Sequence, residues 1–147
     1  MNEEKVALSA QDISKTFGTL KVLDGVSLEI YKGEIFVIMG GAGSGKSTML
    51  RIMTGGVKPT SGQVLFNDRN LNEISEREAE GVKRRFGMSF QSSALMDFLT
   101  VEENISLPLR EHTALDSSII SIIAKMKLSL VGLQGFENYY PSQLSGG

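Results

Sequence analysis

Cysteine is absent from the 147-residue chain, and histidine occurs once, at His112. Without thiolates there is no disulfide framework and no sulfur-ligated metal, and one imidazole cannot build a metal cluster alone. No charge of one sign dominates. With 15 Lys and Arg against 17 Asp and Glu, the formal net charge of -2 gives no electrostatic reason to expect nucleic acid as a partner. Long apolar runs are missing as well: Ile35 to Met39 is far too short to cross a bilayer, and Met1-Asn2-Glu3-Glu4-Lys5 lacks the basic start and apolar stretch of a signal peptide. The cytosol is the default compartment, and any service to a membrane is that of a peripheral partner. There is no internal repeat, low-complexity stretch or linker. What remains, 41% hydrophobic and 22% charged residues, is the composition of one soluble globular domain. A chain of this length can bury about two thirds of its unfolded surface.

Val6-Ala7-Leu8 and the alternating Val26-Ser27-Leu28-Glu29-Ile30 read as antiparallel strands with one wet face, separated by turns at Phe17-Gly18-Thr19 and Asp24-Gly25. Ile35-Phe36-Val37-Ile38-Met39, apolar throughout, predicts a central strand buried on both faces. From Lys46 the spacing of Met49, Leu50, Ile52 and Met53 predicts a helix closed by Gly55-Gly56. Val64-Leu65-Phe66 reads as a short strand between the turns Pro59-Thr60-Ser61-Gly62 and Asn67-Asp68. Ser75-Glu76-Arg77-Glu78 is a capping box opening a helix that Arg84-Arg85 would close. Phe86 to Phe90 reads as another strand, delivering Gln91 at its end. Asp116 or Ser117 would cap a helix with an apolar stripe of Ile119, Ile122, Ile123, Met126 and Leu130, stopped by Gly132.

The chemistry lies between the expected central strand and the helix that follows. Gly40-Gly41-Ala42-Gly43-Ser44-Gly45-Lys46-Ser47 is a full phosphate-binding loop. The glycines let the backbone curl around phosphates with its N–H groups pointing inward, where a Cβ would obstruct. Lys46 would reach the β- and γ-phosphates, Ser47 would place its hydroxyl on Mg²⁺, and Thr48 could add a hydrogen bond. The helix start adds the positive end of its dipole. A dinucleotide fingerprint fits worse, because Lys46 directly follows Gly45 and no acidic residue ends the next strand at the expected distance.

With Phe17-Gly18 before the first hairpin, Phe90-Gln91-Ser92 after a strand and Pro141-Ser142-Gln143-Leu144-Ser145-Gly146-Gly147 after the helical region, the chain resembles the ATP-binding domain of ABC transporters over essentially its whole length. The resemblance implies an α/β fold: a P-loop NTPase core with an antiparallel β subdomain over 1–91, then the Q-loop and helical subdomain over 92–147. It assigns Phe17 to stack on adenine, the alternative being a hairpin core residue. It assigns Gln91 to Mg²⁺ and the attacking water, the alternative being a solvated polar residue. Ser145, Gly146 and Gly147 would contact the γ-phosphate held by Gly40 to Thr48 of a second copy, so that ATP joins a head-to-tail homodimer. The apolar stretch Ser92 to Thr100 stands where a membrane permease subunit docks; a packed core loop is the alternative reading. Val101 to Ile105 and Pro108-Leu109-Arg110-Glu111-His112-Thr113 narrow the resemblance to ATPase subunits of Mla/Mce-type systems. Those move phospholipids or related lipids with a lipid-binding Mce-type subunit, from the inner face of the cell membrane.

After Gly147 such a domain should continue with a signature Gln, an apolar strand ending in Asp-Glu and a switch histidine. The chain is therefore expected to be truncated at its signature. It should cradle ATP with weak or no turnover, leave the strand 35–39 with an unpaired edge, and be partly stable or aggregation-prone. Gly41 stands where the family often has proline. Two further readings are a non-transport ABC-type ATPase and a non-hydrolysing nucleotide-binding remnant. The apolar loop, the absence of heptads and the lack of a basic surface stand against the first of these.

Overall fold

The computed structural model describes residues 5–90 and 94–145. They divide into two compact units, Met1–Gly87 and Met88–Gly147.

In the first unit, β1 (Val6–Phe17) and β2 (Leu20–Tyr31) form a long hairpin, joined on the far side of β1 by β3 (Ser61–Phe66) and β4 (Arg69–Asn70). The sheet is antiparallel in the order β2-β1-β3-β4. Each hairpin strand carries an extra residue that resets its alternation. On β1, Gln11 pairs with Gln63 and Ser14 with Ser61, so three steps on β1 meet two on β3. The surplus falls at Asp12, at φ 51°, and returns Ile13 to the face that buries Leu8 and Ala10. Opposite it Gly62, at φ 88°, leaves no room for a Cβ against the carbonyls of Gln11 and Asp12. On β2 the expected turn at Asp24-Gly25 is instead a bulge within the strand, after which Val26, Leu28 and Ile30 face the core that Leu23 entered. The hairpin Phe66-Asn67-Asp68-Arg69 turns with both central residues at positive φ, 45° and 64°, which suits strand twist.

Helix α1 (Lys46–Met53) buries Met49, Ile52 and Met53 against Leu8, Ala10, Ile13, Leu23 and Val64. Each large side chain buried there contributes about 1.5–3 kcal/mol relative to exposure. The helix ends in two crossed bonds: Gly56 N–H donates to the Arg51 carbonyl (2.7 Å) and Gly55 N–H to that of Ile52 (3.0 Å), with Gly55 left-handed at φ 72°. Helix α2 (Glu76–Lys83) opens on the expected capping box, Ser75 with Glu78.

The second unit holds α3 (Val101–His112) and α4 (Ser117–Leu130), packed on one another, and a 3₁₀ turn at Pro141–Gln143. Thr100 and Glu103 form a capping box on α3, and Asp116 caps α4. No helix among the described residues is long and apolar enough to cross a membrane.

Three further expectations are corrected. Residues 35–39 join no ladder among the described residues: Ile35 is 92% and Met39 86% exposed, while Phe36 and Ile38 turn toward α1. An apolar sequence makes a buried strand only where neighbours supply both ladder partners and a cover. Residues 86–90 are not a strand either; Phe86 packs on Phe66 with ring centroids 5.0 Å apart, and Met88 and Phe90 are exposed. On α4 the stripe is misplaced. Ile120, Ala124 and Leu128 are buried, Ile123 is half-buried, and Ile119, Ile122, Met126 and Leu130 face outward. The helix is apolar on most of its circumference, and packing chose the face that carries the small Ala124.

Candidate functional site

The phosphate-binding loop sits in the first unit between residues 35–39 and α1. It approaches the hairpin closely. At Gly45, φ 90°, a Cβ would stand 2.8 Å from Leu23 Cδ2 and 3.0 Å from the Val22 carbonyl oxygen, so only glycine fits. Gly45 is also the residue from which α1 starts, and no side chain caps that start. The first N–H groups of α1, at Lys46, Ser47 and Thr48, thus have neither an intrahelical acceptor nor a capping oxygen. A cleft of about 170 Å³ opens on them, lined by Val22 and residues 43–48.

Lys46 turns back into the loop. Its Nζ donates to the carbonyls of Gly40 (2.8 Å) and Gly41 (2.6 Å) and lies 3.4 Å from Ser44 Oγ. The Ser44 N–H donates to the Gly41 carbonyl at 3.3 Å, closing a turn over Ala42 and Gly43. One ammonium group is therefore held by two carbonyl dipoles at the mouth of a helix N-terminus. An anion there meets a cation, oriented amides and the positive end of a dipole together.

Phe17 ends β1, pairs with Leu20 across the turn Gly18-Thr19, and is 50% exposed. Leu20 lies two residues, about 7 Å along the strand, from Val22 at the loop. The hairpin thus keeps an exposed aromatic ring at the end that abuts the phosphate loop. The Lys15 ammonium stands 5.0 Å from the ring centroid and donates to the Lys58 carbonyl at 2.7 Å, a support that sequence reading did not find. Ser47 is exposed at the first turn of α1. Among the described residues no group of three His, Cys, Asp or Glu could hold a metal ion, and no carboxylate lines the cleft beside the loop. The Ser47 hydroxyl is a hard oxygen of the kind Mg²⁺ takes alongside phosphates and water.

Of the remaining candidates, Gln91, Gly146 and Gly147 lie outside the described residues. Ser145 is exposed in the second unit, directly after the 3₁₀ turn and Leu144. In the same unit Leu95 and Met96 are half exposed and Phe98 is 76% exposed, so the apolar loop is not a packed core loop. Its shape is held by Asn104, another residue that sequence reading missed. Asn104 Oδ1 accepts from Met96 N–H at 2.8 Å, and Nδ2 lies within 3.0–3.1 Å of the carbonyls of Met96, Leu99 and Thr100. The only sequence signal was its place four residues after the capping Thr100.

A family model described as ABC transporter matches residues 23–147. MlaF, the intermembrane phospholipid transport system ATP-binding protein of Escherichia coli (strain K12), is 40% identical over 147 residues, covering 99% of this chain and 55% of that protein. MetN, the methionine import ATP-binding protein of Rhizobium johnstonii, is 40% identical over 146 residues, 99% of this chain and 40% of that protein. The chain spans about half the length of the curated relatives it matches. Among solved structures, the dimeric post-hydrolysis state of the ATP-binding cassette MJ0796 bound to ADP and Pi superposes with a TM-score of 0.83 at 34% identity, covering 95% of this chain and 63% of that one. The sheet, the glycine loop opening α1 and the matched family model agree, and the chain belongs to the ABC transporter family.

Proposed function

We propose that the chain forms the nucleotide-binding part of a transport ATPase and binds ATP with Mg²⁺ at residues 40–48. The observation that carries this is the Lys46 ammonium, held on the Gly40 and Gly41 carbonyls in front of the uncapped start of α1. On binding, Lys46 exchanges those carbonyls for the β- and γ-phosphate oxygens, and the amides of residues 43–48 take the remaining oxygens. Ser47 offers its hydroxyl to the metal, and Thr48 adds a further donor. Phe17 receives the adenine on its exposed ring. The Ser47 hydroxyl would help hold Mg²⁺, which when bound would supply positive charge against the charge developing on the phosphates. Residues 40–48 thus bind and position ATP.

The same reading makes Ser145 to Gly147 the donor set for the γ-phosphate bound by a second copy, in a head-to-tail dimer. It assigns Gln91 to the metal and the attacking water. The exposed loop around Leu95 and Phe98 receives a membrane permease subunit, which puts the protein on the cytoplasmic side of the membrane. Phospholipid or a related lipid is the cargo we favour, with a Mce-type lipid-binding subunit in the complex. MlaF supports it by name, as does the segment Pro108 to Thr113. MetN, equally identical, is named for methionine import, so lipid and methionine bound to the purified complex should be compared directly.

Calorimetric titration of Mg-ATP into the chain tests the nucleotide reading. Binding should weaken about 10- to 100-fold in Lys46→Ala, the loss expected for charge-assisted hydrogen bonds worth about 1.5–3 kcal/mol. Equal affinity in the two proteins would reject it.

A further inference from the structure

The loop before α3 is apolar, exposed and nevertheless fully specified. Ala94 sits at φ 48°, a left-handed conformation uncommon for a residue with a Cβ. Leu95, Met96 and Phe98 follow it into solvent. Among the described residues of the loop, one backbone turn bond runs from Leu99 N–H to the Met96 carbonyl at 3.1 Å. Four further hydrogen bonds to the described part of the loop and to Thr100 converge on one side chain. Asn104 accepts from Met96 N–H at 2.8 Å and directs its amide nitrogen at the carbonyls of Met96 (3.1 Å), Leu99 (3.1 Å) and Thr100 (3.0 Å). A carboxamide is the one group of this size that both accepts from an amide and donates twice. Aspartate would set a carboxylate against three carbonyl oxygens, and leucine or alanine would leave the Met96 N–H without an acceptor.

The platform that carries Asn104 is itself fixed. Thr100 and Glu103 cap the helix reciprocally, and the first two amides of α3 donate to a neighbouring segment: Val101 N–H to the Tyr139 carbonyl (2.8 Å) and Glu102 N–H to the Glu137 carbonyl (3.0 Å). The Asn104 clamp therefore ties the loop to an anchored helix turn. The clamp satisfies backbone groups of the folded protein and at the same time keeps exposed hydrophobic side chains ordered. That order favours a partner, because residues already ordered lose no freedom on association.

We propose that Asn104 is a positioning residue for the membrane subunit: without touching the partner, it holds residues 94–99 in the shape that the partner binds. The proposal rests on the reading of this loop as the permease docking surface. It assigns to the carboxamide of Asn104 the preorganisation of Leu95, Met96 and Phe98.

The test uses the ATPase protein and its permease subunit in detergent or nanodiscs, with attachment measured by titration. Asn104→Ala should weaken attachment about ten-fold and Asn104→Asp at least as much, while Mg-ATP affinity stays unchanged. In a Phe98→Asp background, Asn104→Ala should cost little more, because the two act through one surface. Full additivity would mean that Asn104 serves general stability and would overturn the proposal. Normal attachment of Asn104→Ala alongside lost attachment of Leu95→Asp and Phe98→Asp would overturn it too, leaving the docking surface in place. Normal attachment of all three would reject the docking reading itself. Hydrogen exchange on the unsubstituted protein gives a check that needs no variant. The Met96 amide should be protected before the permease is added, and fast exchange there in the free protein would overturn the proposal.

Discussion

The backbone N–H of Val101 donates to the carbonyl of Tyr139 at 2.8 Å, so the first turn of α3 is satisfied by the segment that leads to Leu144 and Ser145. Glu102 repeats the arrangement with Glu137 at 3.0 Å. Between them, Thr100 Oγ1 accepts from Glu103 N–H at 3.2 Å and Glu103 accepts from Thr100 N–H at 2.8 Å. Helix start, apolar loop and the segment leading to Ser145 thus share one hydrogen-bonded corner. Thr100→Ala should destabilise this unit by about 1 kcal/mol, the usual cost of losing an N-cap. Hydrogen exchange should speed up at Val101 and Glu102 as well as at Glu103. Faster exchange at Glu103 alone would show that the corner is not cooperative.

Phe17→Ala should weaken ATP binding about ten-fold, from a stacking contribution of roughly 0.5–1.5 kcal/mol plus lost burial of the base. Inorganic triphosphate, which has no base, should bind both proteins alike. Unchanged ATP affinity in Phe17→Ala would return Phe17 to a purely structural place beside Lys15.

Gly45→Ala meets two obstacles at once. A left-handed backbone costs a residue with a Cβ roughly 1–2 kcal/mol, and the added methyl would stand 2.8 Å from Leu23 Cδ2 and 3.0 Å from the Val22 carbonyl oxygen. Thermal stability should fall and ATP binding should weaken, because the left-handed backbone is strained and the loop must shift away from the Val22 carbonyl. Gly41→Ala, at a position with open space around the missing Cβ, is the control expected to fold normally.

Four carboxylates titrate below their ordinary range because they accept hydrogen bonds. Glu78 is lowered first by the Ser75 hydroxyl and then by its amide, and Glu103 by the Thr100 amide and then its hydroxyl. Asp116 is lowered by the Ser118 amide and hydroxyl, and Glu137 by its own amide and that of Gly135. A carboxylate depressed in the folded state stabilises the fold fully above its unfolded pKa and loses that contribution as pH falls through the folded value. Denaturant stability should therefore be flat through neutrality on this account and decline below about pH 4.5, the unfolded glutamate value. Replacing Glu78 and Glu103 together by Gln should shallow that decline, and an identical acid profile would refute the assignment.

Helix boundaries were legible because their signals are local. Ser75 with Glu78, Asp116 before Ser117, and Gly55-Gly56 after Met53 act within one turn of the chain, and each appears where expected. The glycine loop was legible for the same reason, since Gly45 directly before Lys46 satisfies a backbone and a ligand demand in adjacent residues. Failures share the opposite character. Ile35 to Met39 and Phe86 to Phe90 were read as strands from apolarity alone, but a strand is a relationship with a second segment, and none of the described residues pairs with them. On α4 the periodicity admitted more than one face, so its contact with α3 decided that Ile120, Ala124 and Leu128 go inside.

The sequence by itself determined the phosphate loop, the caps and the family resemblance, because each depends on residues a few positions apart whose chemistry needs no distant partner. Only the tertiary structure decided that Val22 and Leu23 press on Gly45, that Lys15 stands over Phe17 and that Asn104 holds the exposed loop at Leu95 to Leu99. Those contacts depend on bulges that shift strand parity and on which helix face finds cover. Both are settled by burial and hydrogen-bond satisfaction across the fold rather than by any local pattern.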